Sequence, residues 1–471
     1  MSQRLSQIAF SVSDVRRSHQ WYQDLFGFTP AGGTESFKGW ATSQVQGVPG
    51  ARTTCWWLLD TQEQFQIELF EYERPESRPM PADWRMCDIG YNLVGIHVPD
   101  FEATLERAQR MGIPLFGSVV GEPGKRRACL RDPDGALLEL MEDDPRSSNQ
   151  RLRPRGQQLP TVRFITLSVA DIAQTRDFFR DALEMKEARD LSLHGPEHEA
   201  CWGLDGAQRE TALYWADDML IEVVQYQNPE GRPLPADYRI SDLGILNIAF
   251  GFRNETEMRR IFKRTVNAGA KPNFPVPISV FNWAVMYVND SQGFSYELLS
   301  VRPYYDRFMG FTPRHFDTQV HHQVLVDASR SAIWDVLADH ANIGDWWCYQ
   351  GKVLREGHTH PAGVGALREL TCLGERVVEE VLAFEPLERM DYRVVTGAPV
   401  KFHFGRIQLR ETADGRVFVD YSIRFKAKIP GTQWLMRLVI GGRMKRAAER
   451  LKTLCESRSR KAQPASVSNA A

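Results

Sequence analysis

The sequence predicts an α+β protein: four βαβββ modules in a row, then a strand–helix–sheet–helix domain that ends in a long helix. Three observations predict it. The first is an internal repeat. Segment 67–90, IELFEYERPESRPMPADWRMCDIG, returns at 221–244 as IEVVQYQNPEGRPLPADYRISDLG, with thirteen of twenty-four positions identical and no gap. Segments 9–28 and 166–185 match likewise, as do 130–143 and 287–301. A unit of about 150 residues has been duplicated. The second observation is the apolar period, which divides each unit into two halves. The third is a change of pattern after residue 318.

The elements follow in order. Helix 14–26 places Val15, Tyr22, Leu25 and Phe26 on one face behind the capping Asp14. Ile172, Phe179 and Leu183 repeat this behind Asp171. Strands RTTCWWLLD and FQIELFEY are short, β-rich and bounded by turn formers. Strand 92–98, helix 101–111 and strands near 113–118, 126–131 and 136–142 complete the unit. The predicted units are 1–145 and 160–303. Stretches 143–159 and 301–316 have no period and read as linkers. The last domain, 318–458, has helix SRSAIWDVLADH, a run of strands to RVFVDYSIRFKA and a closing helix at 431–456. That helix sets Leu435, Leu438, Ala447, Ala448, Leu451 and Leu454 on one face. Residues 459–471 read as a disordered tail.

Composition narrows the function. A chain of 471 residues has room for roughly three domains. The net charge of −2 argues against a nucleic-acid partner. No apolar run approaches the roughly 20 residues needed to span a bilayer, and MSQRLSQIAF has no apolar core of signal-peptide length. The expectation is a cytoplasmic protein with a small-molecule substrate, no membrane partner and an open question of homo-oligomerisation. The seven cysteines show no CxxC spacing, so neither a zinc clip nor a redox pair is indicated. Only His19, His97, His194 and His198 precede residue 300.

The stretches QIAFSVSDVRRSHQWYQDLFGF and RDPDGALLELME, with the repeat, resemble the vicinal-oxygen-chelate superfamily of glyoxalases, bleomycin-resistance proteins and extradiol dioxygenases. The resemblance covers about 5–300. SRSAIWDVLADHANIGDWW, GVGALREL, MDYRVVTGAPV and the closing helix resemble the SRPBCC (polyketide cyclase/dehydrase, START-like) family. There a curved antiparallel sheet wraps the last helix, a helix-grip arrangement, and leaves an apolar cavity. Trp346, Trp347, Tyr392, Phe402 and Leu438 are its expected lining and ligand-binding residues.

The first resemblance implies four inward positions per unit that can hold a metal. Carried over, they are Gln7, Glu68, Leu93 and Glu139 in the first unit, and Phe164, Glu222, Asn247 and Glu297 in the second. Leu93 and Phe164 bring no donor. No position holds histidine, which disfavours an iron(II) dioxygenase. An all-oxygen set suits a divalent cation such as Mn²⁺ or Mg²⁺. The first unit is the better candidate, with Gln7, Glu68 and Glu139 as metal ligands and Glu68 and Glu139 as catalytic carboxylates. A glutamate here could equally act as a general base, or merely pair with an arginine such as Arg85 or Arg239. Lys125, Arg126 and Arg127 read as solvated surface. Two functions remain open. One is an enzyme with lyase, isomerase or oxygenase chemistry on a small apolar or aromatic metabolite, its last domain binding, cyclising or dehydrating a related compound. The other is a non-catalytic protein that sequesters such a molecule.

Overall fold

The computed structural model describes residues 3–146, 160–313, 318–412, 415–429 and 431–462. It forms two compact units, Met1–His315 and Phe316–Ala471.

In the first unit all four modules are present, but in two and three the first of the three strands expected after the helix is reduced to isolated bridges at Leu115 and Glu187; their pairing is crosswise. Strand Arg4–Ser11 of module one pairs antiparallel with Gly244–Phe252 of module four, with Ile8 opposite Ile248. Strand Gly90–His97 of module two pairs antiparallel with Thr161–Ser168 of module three. Each junction is the centre of a larger sheet, nine-stranded for modules one and four and six-stranded for two and three. The repeat units 1–145 and 160–303 are therefore sequence units, and each sheet takes one half from each.

The local reasons are ordinary. Asp14 and Asp171 cap their helices by accepting from backbone N–H groups of the first turn. Central strands are buried on both faces, as in Thr161–Ser168, because helices cover one side and each sheet curls over its own core.

The copied segment forms a reciprocal clasp between the halves. Arg78 donates to Asp242 at 2.7 and 3.1 Å, and Arg232 donates to Asp88 at 2.7 and 3.1 Å. Backbone bonds run the same way, Ile89 N–H to Arg232 O and Leu243 N–H to Arg78 O, both 2.8 Å. Arg85 and Arg239 also bind Asp88 and Asp242, so they do not neutralise the inward glutamates.

Segment 303–311, expected as linker, is packed. Tyr305, Met309 and Phe311 lie against the core of the nine-stranded sheet, and Gln66 donates to Met309 O at 3.2 Å. Gly310 (φ +75°) presses on Trp57 there, leaving no space for a Cβ.

The second unit is a seven-stranded antiparallel sheet around one helix, Gln433–Ala462. That helix runs beyond the expected end, so residues 459–462 are helical, while 463–471 lie outside the described residues. Met444, Ala447, Ala448, Leu451 and Cys455 face the sheet. Leu435 and Leu438 do not: they are 49% and 65% exposed, because the helix meets the sheet mainly through its later turns.

Candidate functional site

The two sheets of the first unit each form a cup, and the eight inward positions fall into two sets of four. Crosswise pairing decides the sets. Ala9 stands opposite both Glu68 and Asn247, and Ala249 opposite both Gln7 and Glu297. The first cup therefore holds Gln7, Glu68, Asn247 and Glu297. By the same logic the second holds Leu93, Glu139, Phe164 and Glu222. Glu139 is thus separated from Gln7 and Glu68, with which the sequence grouped it. Both positions without a donor fall in the second cup, and all four in the first carry oxygen.

In the first cup Glu68 Oε1 accepts from Trp57 Nε1 at 2.8 Å and from Cys55 Sγ at 3.2 Å. Its Oε2 has no protein partner among the described residues, nor have Gln7 Oε1, Asn247 Oδ1 and Glu297 Oε2, and all are buried. Tyr287 neighbours Asn247 and Glu297. Burial raises the Glu68 carboxyl to about 7. Burial and then the Glu68 charge raise Glu297 well above the usual carboxylate range. The cup concentrates oxygen donors, and no cationic side chain among the described residues pairs with its two carboxylates.

The second cup supplies its own. His194, absent from the predicted set, is fully buried between the two glutamates. Its Nδ1 is 2.9 Å from Glu222 and its Nε2 is 3.1 Å from Glu139. Glu139 also accepts from Trp202 Nε1 at 2.9 Å and pairs with Arg127 at 3.2 Å. Glu222 accepts from Thr166 at 2.7 Å. Arg127 is therefore a buried partner and not solvated surface; Arg126 is taken by Glu102 and Glu142. Phe164 packs edge-on against His194 with ring centroids 5.0 Å apart. It lies across Gly95, where a Cβ would meet its ring.

Burial opposes charge on His194, but Glu222, Glu139 and the hydrogen bonds to both lift it to about 9. Burial likewise opposes ionisation of the glutamates, and the His194 charge overrides it, holding both below their usual range. The sign for stability follows. The His194 contribution is full below about pH 6.5 and is lost as pH rises through about 9, while the glutamate contribution is lost on acidification. We expect the melting temperature of the first unit to fall between pH 6.5 and 9, and to fall less in His194→Gln. Equal slopes in the two proteins would refute the assignment.

In the second unit, Trp346 and Trp347 are buried, with rings 6.4 and 5.8 Å from Tyr421. Tyr392 is buried and its hydroxyl lies 2.5 Å from that of Tyr421. The interior is more polar than expected, because a buried Arg368–Glu379 pair at 2.9 Å sits beside them. Leu438 is outside this interior, and the Phe402 side chain lies outside the described residues. Tyr392 crosses Gly405, whose Cβ would approach its ring to 2.2 Å. Gly405→Ala should destabilise this unit by about 1–3 kcal/mol, read as a lower denaturation midpoint. An unchanged midpoint would show that the ring can move aside.

Residues 4–140 match the family model described as the Glyoxalase/Bleomycin resistance protein/Dioxygenase superfamily, and residues 317–456 match Polyketide cyclase / dehydrase and lipid transport. The chain carries both domain types. Modules three and four lie outside that match and repeat the sequence of the matched segment. Solved structures with a similar fold include glyoxalase I from Zea mays, 15% identical, covering 65% of this chain and 94% of that one with a TM-score of 0.44. A putative dioxygenase from Bacillus subtilis is 12% identical, covering 66% and 90% with a TM-score of 0.45. No curated protein matches. No helix among the described residues is long and apolar enough to cross a membrane.

Proposed function

We propose that this chain is an enzyme whose reaction takes place in the first cup, on a small apolar or aromatic molecule with a carbonyl or hydroxyl oxygen. One observation carries the reading: four buried oxygen atoms, on Gln7, Glu68, Asn247 and Glu297, have no partner among the described residues. Buried polar groups are ordinarily satisfied, and such a set calls for an occupant. Two carboxylates and two amides fit a hard divalent cation, Mn²⁺ or Mg²⁺. When bound, that cation supplies Lewis-acid polarisation of a substrate oxygen.

The chain's own residues do the rest. Trp57 and Cys55 fix one oxygen of Glu68; the other, one of the four that would hold the cation, is the one that would exchange it for a proton from carbon beside the substrate carbonyl. Glu297, kept protonated by burial and the Glu68 charge, gives its own proton to the neighbouring carbon, and exchange of a proton between the two carboxyls after product leaves restores both. Strand pairing on both sides and segment 303–311 keep bulk water out. This is lyase or isomerase chemistry, and it needs no histidine. In the second unit, Tyr392, Tyr421, Trp346 and Trp347 would bind a related compound for cyclisation or dehydration.

The His194-filled second cup favours one further reading, a protein that only sequesters its ligand, since in that cup an imidazole stands between the two carboxylates. A Mn²⁺ titration by calorimetry tests the proposal. We expect one equivalent per chain. No binding would leave sequestration as the better reading.

A further inference from the structure

Neither cup uses the cavity of about 570 Å³ that lies on the local twofold of the first unit. Both copies of the clasp segment wall it, with Trp84 and Tyr238 at matching places. None of the six inward polar residues of the cups lines it, nor does His194. Its volume suits one small molecule, and its aromatic walls suit a flat one.

Its charges are unequal. Arg85 and Arg239 are committed to Asp88 and Asp242. Asp134, in the same wall, is held by Arg17 at 2.8 Å, Ser13 at 2.6 Å and Ser18 at 3.0 Å. Arg131 is different. It makes no ion pair among the described residues; its guanidinium lies over the Phe116 ring at 4.4 Å and donates to Gly135 O at 2.6 Å. Four of its five N–H donors have no acceptor among the described residues, in a setting where burial works against its charge. The second copy has Asn289 at the matching position, so among the described residues only one end of the cavity offers a guanidinium without an ion pair.

We propose that this cavity is a second small-molecule site, taking a planar aromatic carboxylate with its ring against Trp84 and Tyr238 and its anion on Arg131. A bidentate guanidinium–carboxylate pair uses the free donors and repays the desolvation of Arg131.

The test is calorimetry on the full chain with naphthalene-2-carboxylate and its neutral carboxamide. We expect one equivalent of carboxylate, with the carboxamide at least about tenfold weaker, since a charge-assisted bond is at stake. Arg131→Leu should weaken the carboxylate by a similar factor, and Arg131→Lys should lose less. Glu68→Gln, which alters the first cup alone, should bind as wild type does, so the two sites fail separately. Equal binding of acid and amide to wild type overturns the proposal without any variant. So does undiminished binding in Arg131→Leu, loss in Glu68→Gln, or the absence of saturable binding.

Discussion

Replacing His194 by alanine is expected to destabilise the first unit by about 3–5 kcal/mol, the cost of stripping a buried ion pair of one partner. The imidazole touches both Glu222 and Glu139, so its removal leaves two carboxylates facing across a void. In a unit of this size the loss corresponds to a melting temperature lower by on the order of 10 °C. A second outcome separates lost charge from lost packing. With the first cup silenced by Glu68→Gln, millimolar Mn²⁺ should raise the melting temperature of the His194→Ala protein and leave the His194-containing control unmoved. A cation would then stand where the imidazolium stood. If His194→Ala melts with the parent, or if Mn²⁺ shifts both proteins alike, His194 is only a packed side chain.

Glu68→Gln is expected to lower Mn²⁺ affinity by at least about 100-fold, because a neutral amide replaces one of only two carboxylates in an oxygen-only set. Proton-abstraction activity should vanish with it, since an amide cannot act as a base. Glu139→Gln is the control. It lies in the other cup, so Mn²⁺ binding should persist while stability falls. The measurement is calorimetric titration of both variants beside their thermal melts. Loss of Mn²⁺ binding in Glu139→Gln with retention in Glu68→Gln would restore the grouping drawn from sequence order.

That grouping failed for a physical reason. Strand Arg4–Ser11 has the same buried pattern whether Gly90–His97 or Gly244–Phe252 lies beside it, and both candidates are buried apolar strands that begin at the same glycine of the repeat. Periodicity reports which face of a strand is buried; it carries no record of the neighbour. The inward positions themselves were legible, because the repeat fixes their place within each strand. His194 was not. It lies between helix Ile172–Asp181 and strand Gln208–Ala216, in a stretch without helical or strand period, where nothing in the spacing points inward. Leu438 misled for the opposite reason: a helical stripe shows a preferred side, but not how far along the helix the sheet extends.

Crosswise pairing also sets an order of assembly. The second cup is complete in a nascent chain that has reached about residue 228, whereas the first must wait for strands ending at Val301. Until then strand Arg4–Ser11 has a free edge, held only by Gln66–Arg74 on its other side. Chains emerge at about 5–20 residues per second, so that edge stays open for several seconds. The oxygen-rich cup is therefore the last part of the first unit to close. The internally neutralised cup, which needs nothing from outside the chain, is already available as the surface on which it closes.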